Sequence, residues 1–371
     1  MVQQAQISRA TLAKPEARFF DSAYTEMDPR DRAKARPEDD GEVITTRRLT
    51  VTIERWPIAG RFALSRGAKT EAEVVLAEIT EGARRGRGEC VPYPRYGETP
   101  ASVAAAVQAL APAIAGGLDR KALQAALPPG AARNALDCAL LDLEAKISGR
   151  PAHEILGLPP PRAVTTAFTL SLDTPDAMAR AALAAGPRPL LKLKLGPDDA
   201  LASIRAVHDA APSAALIVDA NEAWSLAQLA TLAPALGALG VALIEQPLAA
   251  ADDAALQGFS CPIPLCADES FHTEADLPRI AARYQAVNIK LDKAGGITAA
   301  AALLAEARTR GLSVMVGCMV ATSLAMAPAM LIASGADYVD LDGPLLLARD
   351  RDDPIRYEGS LMAPPSPTLW G

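Results

Sequence analysis

The residues of this chain best suited to chemistry are amines and carboxylates set into apolar runs. Lysine is scarce, nine of the 37 basic residues, yet two lysines alternate with leucine in residues 190–196, LLKLKLG. Where arginine is the habitual surface cation, a lysine inside an apolar strand suggests a need for an amine that can lose its proton, which a guanidinium does not do. Other apolar runs end on carboxylates: Asp219 in ALIVDAN, Glu245 in ALIEQP, Asp268 in PLCADES, Asp340 and Asp342 in YVDLDG. Lys290 stands near the end of AVNIKL. Any one of these could be a strand cap or half of a structural ion pair, but so many at equivalent places in successive runs imply a shared site.

The elements that must carry them follow from the rhythm of the chain. Eight β-like runs, at 164–172, 190–195, 215–221, 242–247, 264–270, 286–291, 313–318 and 338–343, are separated by Ala-rich helical segments such as PDDALASIRAVHDAAP and GITAAAALLAEARTRG. Strands alternating with helices imply parallel strands joined by right-handed crossovers, and eight of them imply a closed ring. A doubly wound sheet would carry a Gly-rich fingerprint in its first turn, and none is present. The expected fold is therefore α/β, a (β/α)8-type modified TIM barrel over residues 161–371. Before it, LTVTIERWPI and EAEVVLAEITEG alternate like antiparallel strands, and NALDCALLDLEAKISG has helical periodicity and a glycine stop. These make residues 47–160 an N-terminal α+β capping domain, with a return of the C-terminal tail to it left open. Residues 1–46 lack a periodic apolar face and read as a flexible extension.

In such a barrel the C-terminal strand ends form the working face. Asp219, Glu245 and Asp268 lie on three consecutive strands and would converge on one point. Carboxylate oxygens without nearby histidine or cysteine favour Mg²⁺ over zinc; the alternative is an acidic cluster neutralised by the lysines. Residues two apart on a strand share a face, so Lys192 and Lys194 both point inward. Strands 2 and 6 of an eight-membered ring are opposed, which sets Lys194 against Lys290 across the pocket. Two opposed amines beside a metal-held carboxylate suit removal of an α-proton from one face and its return from the other. Neighbouring positive charge is expected to depress a lysine pKa toward working pH. Lys293, in KLDKAGG, is the rival for the second base, but alternation places Lys290 inward and Lys293 beyond the strand. Asp340 and Asp342, opposite strand 4, would hold a cationic end of the substrate, or else cap a following helix or match an arginine.

KLKLG, VDAN, IEQP, ADES, NIKLDKAGG and GCMVATS, in this order, resemble the muconate-lactonizing subgroup of the enolase superfamily. DLDGP narrows the resemblance to its dipeptide epimerases, and ECVPYPRYGE and GAARNALDCAL extend it through the capping domain. The resemblance implies Lys194 and Lys290 as the acid/base pair, Lys192 steadying the substrate carboxylate, and Mg²⁺ on Asp219, Glu245 and Asp268. It implies a dipeptide ammonium at Asp340 and Asp342, and substrate contacts from Thr169, Cys318 and Val320. Arg66, in LSRGAKTEA, matches a loop arginine expected to meet a glutamyl carboxylate, with Lys69 and Arg95 as substitutes. The implied reaction inverts the C-terminal residue of a dipeptide, with L-Ala-D/L-Glu from cell-wall peptide turnover foremost. An o-succinylbenzoate synthase-type lyase or an epimerase of other dipeptides are the alternatives, the lyase lacking an ammonium for Asp340 and Asp342 to hold.

Composition narrows the partners. A formal charge of −7 without a basic block argues against nucleic acid or an anionic membrane, leaving a small-molecule substrate, with a homo-oligomer still open. Five scattered cysteines without CxxC pairing read as reduced thiols. No secretory signal pattern or long apolar run is present, so the expected location is cytoplasmic. His153, His208 and His272 fall outside strand ends 6 and 7, which disfavours a histidine base.

Overall fold

The computed structural model describes residues 46–371, so residues 1–45 of the expected extension lie outside it. Three antiparallel strands, β1 (Arg48–Leu64), β2 (Gly67–Glu81) and β3 (Arg84–Cys90), form a sheet in that order, with a register slip in β1 between Pro57 and Phe62. Helices α1 (Pro100–Ala109), α2 (Ala111–Ala115), α3 (Arg120–Ala126), α4 (Ala131–Ser148) and α5 (Ala152–Ile155) follow. A Thr99/Ser102 capping box starts α1, satisfying two otherwise orphaned amides. The sheet and α4 bury Val75, Ile79, Leu136, Ala139 and Leu143 against one another. Their close approach explains the glycines of GRGEC: a Cβ on Gly88 would lie 2.0 Å from the Ala135 carbonyl oxygen, and one on Gly86 would lie 2.2 Å from that of Ala139.

Strand β4 (Val164–Thr165) leads into eight parallel strands. These are β5 (Phe168–Leu170), β6 (Leu190–Lys194), β7 (Ala215–Asp219), β8 (Val241–Glu245), β9 (Leu265–Ala267), β10 (Ala286–Ile289), β11 (Ser313–Gly317) and β12 (Tyr338–Asp340), paired in sequence order. The ring is nearly closed: between β12 and β5, Ala167 N–H donates to Val339 O at 2.8 Å and Leu341 N–H to Thr166 Oγ1 at 2.9 Å. Crossovers carry α6 (Pro175–Ala184), α7 (Ala200–Ala210), α8 (Leu226–Ala238), α9 (Leu277–Ala281), α10 (Leu291–Ala294), α11 (Ile297–Thr309) and α12 (Ser323–Ala333).

The barrel departs from strict alternation in three places. Between β8 and β9 the chain makes only a 3-10 turn, Asp253–Leu256. After β12 another short turn, Gly343–Leu346, replaces a helix, and β13 (Tyr357–Glu358) and β14 (Leu361–Met362) form a hairpin. The first part of the run expected at 164–172 leaves the ring, because Val164 and Thr165 pair with β14 instead.

Helix α4 also fastens onto the barrel beside β10. Arg133 donates to the carbonyls of Ala294 and Gly295, and Asp137 accepts the amide at the start of α11 from Thr298. Gly295 and Gly296, at φ 81° and 109°, adopt a backbone that a side chain would strain and crowd against Arg133 and Asp137. The C-terminal tail packs on α4 as well: buried Trp370 donates Nε1–H to Cys138 O at 3.1 Å. Among the described residues no helix is long and apolar enough to cross a membrane, and the five cysteines are free thiols.

Candidate active site

Alternation along each strand divides the barrel. Leu191, Leu193 and Leu195 face the helix layer and join the large core, so of the four leucines in LLKLKLG only Leu190 turns inward. Inside, Ile217, Leu243, Cys266, Ala286 and Met315, flanked by Leu190 and Tyr338, form an apolar floor. Two residues further along the same strands stand Lys192, Asp219, Glu245, Asp268, Asn288 and Asp340, with Lys194, Lys290 and Asp342 beyond some of them. Period two therefore lifts a polar layer onto a dry base.

That layer is a lattice of ion pairs. Lys192 Nζ lies 2.6 Å from Asp340 Oδ2, 2.6 Å from Glu245 Oε2 and 3.2 Å from Asp219 Oδ2. Lys194 Nζ donates to Asp219 Oδ2 at 2.5 Å, and Lys290 Nζ to Asp268 Oδ2 at 2.8 Å. Lys293 spends its protons on Asp268 Oδ1, Asp268 O and Asn288 O, at 2.6, 2.6 and 3.1 Å. Asn288 Nδ2 holds Glu245 Oε1 at 2.7 Å. Glu245 Oε2, although close to Lys192, lies off any hydrogen-bonding direction and is a buried oxygen without a donor.

The electrostatics follow from burial set against these charges. Burial opposes charge on Lys192 and Lys290, but Asp340, Glu245 and Asp219 around the first, and Asp268 and Glu245 around the second, hold both well above the usual lysine range. This reverses the expected depression at Lys290: in the carboxylate-paired arrangement it is firmly an ammonium. Lys293 is the lysine that burial pushes down, only partly offset by Asp268. Burial and the neighbouring Asp219 raise Glu245 to about 7, whereas Lys290 and Lys293 overcome burial to hold Asp268 well below the carboxylate range. Burial, then Asp340, raises Asp342 to about 7.

Above this layer lies a cavity of about 380 Å³. Lys194 and Lys290 both line it from β6 and from the residue after β10, four positions apart around the eight-strand ring, as do Asp268, Thr169, Cys318, Val320, Asp340 and Asp342. Lys192, Asp219, Glu245 and Lys293 do not line it. Lys192 is thus beneath the cavity, and Lys293 is consumed as a brace for Asp268. Asp342 Oδ2 accepts the Thr169 amide at 2.6 Å, tying strand 8 to strand 1, while Asp340 Oδ1 is buried without a donor among the described residues.

The capping domain supplies the roof through the tip of the β1–β2 hairpin and the turn Pro94–Tyr96. Arg66 lines the cavity, but its guanidinium is engaged by Asn221 O at 2.9 Å, Glu222 Oε2 at 3.2 Å, Tyr93 Oη at 3.1 Å and Glu269 Oε1 at 2.7 Å. Arg95 binds Glu222 through two bonds. Lys69 lines the same space, 5.8 Å from the Tyr93 ring centre, with no carboxylate partner among the described residues.

Several residues here escape a reading of strand ends. Gln246, at φ 35°, accepts the Asp268 and Ser270 amides on Oε1 and donates Nε2–H to Leu248 O, Ser270 Oγ and Tyr284 Oη, so it fixes the loop that presents Asp268. Its only signal is its place after Glu245. Asn288 reveals itself through alternation with Lys290, whereas Tyr96, whose hydroxyl is buried without a partner among the described residues, carries no sequence signal beyond its loop. His272 sits edge-on to Tyr96 at 4.4 Å and stays outside the lysine–carboxylate lattice.

Residues 46–157 match the family described as mandelate racemase / muconate lactonizing enzyme, N-terminal domain, and residues 176–367 match the enolase C-terminal domain-like family. The L-Ala-D/L-Glu epimerase of Escherichia coli K12 is 48% identical over 316 residues, covering 84% of this chain and 98% of the relative. The N-acetyl-D-glutamate racemase of a Pseudoalteromonas species is also 48% identical, over 300 residues, covering 80% and 95%. Among solved structures, an enolase family member from Agrobacterium tumefaciens with homology to dipeptide epimerases, holding sodium and L-Ala-L-Glu, superposes with a TM-score of 0.85 at 52% identity, covering 88% of this chain and all of that one.

Proposed function

The chain belongs to the mandelate racemase / muconate lactonizing enzyme group of the enolase superfamily, and from that footing we propose that it epimerises the C-terminal residue of L-Ala-D/L-Glu. The observation that carries the reading is the pair Lys194 and Lys290 on opposite sides of one cavity. A neutral amine on one side takes the α-proton. The C–H electron pair enters the adjoining carboxylate to give an enediolate, and the ammonium opposite returns a proton to the other face. The carbon is inverted with no change of oxidation state. Lys290 is a donor while Asp268 holds it protonated, and becomes a base when that oxygen is engaged elsewhere; Lys194, on the other side, takes the complementary role.

Asp219, Glu245 and Asp268 would hold magnesium. Their donors are hard oxygens on three adjacent strands, and Glu245 Oε2 keeps a lone pair outside any hydrogen bond among the described residues. No trio of acidic, histidine or cysteine side chains among the described residues is arranged to hold a metal, and each of the three carboxylates pairs with a lysine. When bound, magnesium supplies positive charge against the charge that builds on the substrate carboxylate.

The ends of the substrate are matched separately. Asp340 Oδ1, buried and lacking a donor, suits the dipeptide ammonium beside Asp342. Lys69, which has no carboxylate partner among the described residues, is better placed than Arg66, already paired with Glu222 and Glu269, to meet a glutamyl carboxylate. The racemase of N-acetyl-D-glutamate among the relatives makes an N-acylated glutamate the second reading, but such a substrate lacks the ammonium that Asp340 would hold. A panel of dipeptides and N-acyl amino acids, incubated with protein and Mg²⁺ in D₂O and read by mass, separates them. Deuterium gain in Ala-Glu is expected; gain only in N-acetylglutamate, or in nothing, overturns the proposal.

A further inference from the structure

We propose that Glu222 is a positioning residue, a carboxylate clasp that ties two capping loops to the barrel rim and so sets how tightly substrate is held. Its side chain receives Arg95 Nε–H at 2.8 Å and Nη2–H at 2.7 Å, Arg66 Nη1–H at 3.2 Å and the Ala250 amide at 2.8 Å. One carboxylate thus gathers the hairpin tip, the Pro94–Tyr96 turn and the loop after β8. Glu222 is absent from the cavity lining, so it acts through the arginines rather than on substrate. Among the described residues Arg95 has no other carboxylate partner.

The backbone is shaped for this task. Asn221 and Glu222 take φ values of 44° and 69°, left-handed conformations that a residue with a Cβ adopts only when its surroundings enforce them. The enforcement is visible: Asn221 N–H donates to Asp219 Oδ1, and Glu222 N–H to Gln246 O, both at 2.9 Å. The result is a turn at the end of β7 whose Asn221 carbonyl also accepts Ser65 Oγ–H at 3.1 Å and Arg66 at 2.9 Å. What the clasp secures is the roof: Arg66, Tyr93 and Tyr96 line the cavity, and Tyr96 brings its unpartnered hydroxyl there.

Only the kinetic arm of the test rests on the function proposed above. Glu222→Gln keeps the shape and removes the charge. Amide hydrogen exchange of the substrate-free protein is expected to quicken about tenfold in residues 61–69 and 93–97 and to stay unchanged in β6 and β10. KM for Ala-Glu should rise about tenfold with kcat within about twofold, Arg95→Ala should match it, and the double variant should be no worse than either single one. Unchanged loop exchange, independent effects that multiply, or a fall in kcat at constant KM would each overturn the clasp. If Glu222→Gln fails to fold, the half-exposed Arg95→Ala carries both arms. A wild-type protein that turns over no dipeptide would sink the proposed function, while hydrogen exchange would still decide the clasp.

Discussion

Lys194 and Lys290 serve opposite faces of one carbon, so their losses should not be equivalent. Replacing either with alanine is expected to lower epimerisation about 10²–10⁴-fold. Each variant should nevertheless still exchange the α-proton of one epimer in D₂O, a different one in each case. NMR of both epimers checks this; exchange of both in either variant would refute a two-base assignment. Asp292, two residues after Lys290, gives a prediction about stability. It accepts the Val91 amide and Asn134 Nδ2–H, and burial raises it to about 7. A carboxyl with a raised folded pKa stabilises while protonated. That contribution is full below its unfolded pKa of about 4 and is lost as pH climbs toward 7, a span of roughly 2–4 kcal/mol. Asp292→Asn should flatten this slope in urea titrations from pH 4 to 8, and an unchanged slope would exclude Asp292 as its source. The lysines and acids were legible from type and alternation, but their partners were not. Nothing in the strand pattern says that Lys192 sits below the cavity or that Arg66 is already paired with two carboxylates, because both depend on side chains from segments distant in sequence.

Elements place these residues, and the tightest joint between them is β3 on α4. Gly88 lies so close to the Ala135 carbonyl that an added methyl group must push strand and helix apart. Gly88→Ala is expected to cost about 1–3 kcal/mol or more, seen as a lower urea midpoint. A midpoint equal to wild type would show that the joint yields freely. The eight barrel strands stood out because short β-branched and leucine runs recur between Ala-rich helices. Their ends were less legible. Val164 and Thr165 satisfy the same pattern as the rest of their run, and only the presence of β14 draws them out of the ring. The missing helix between β8 and β9 likewise reflects a loop bound by Asp253 to Arg279 and Arg283.

At the scale of the molecule, the C-terminal tail returns to the capping elements. Trp370 is buried against α4, Arg87 of β3 donates to Leu369 O at 2.6 Å, and the Gly371 amide reaches Asp142 at 2.7 Å. Trp370→Ala should cost about 3–5 kcal/mol by thermal or urea unfolding. A loss confined to fraying of the tail, with the global transition unmoved, would show that the tail rests on the fold without supporting it. Capping elements are in turn held to the barrel by buried polar contacts such as Glu89 with Thr322 and Arg351. The cavity therefore belongs to both parts of the chain.

By itself the sequence determined which faces are dry and which strand ends are charged, since period two is a local property that survives without knowledge of neighbours. It also determined the order of lysines and acids around the ring, because parallel strands joined by crossovers are laid down in chain order. Tertiary structure alone decided which carboxylate neutralises which lysine, that Arg66 is engaged while Lys69 has no carboxylate partner among the described residues, and that Glu222 gathers two loops. These depend on distances between residues up to about two hundred positions apart in the chain, such as Arg66 and Glu269. In a buried, weakly screened site, those distances set against burial decide the direction of each pKa shift.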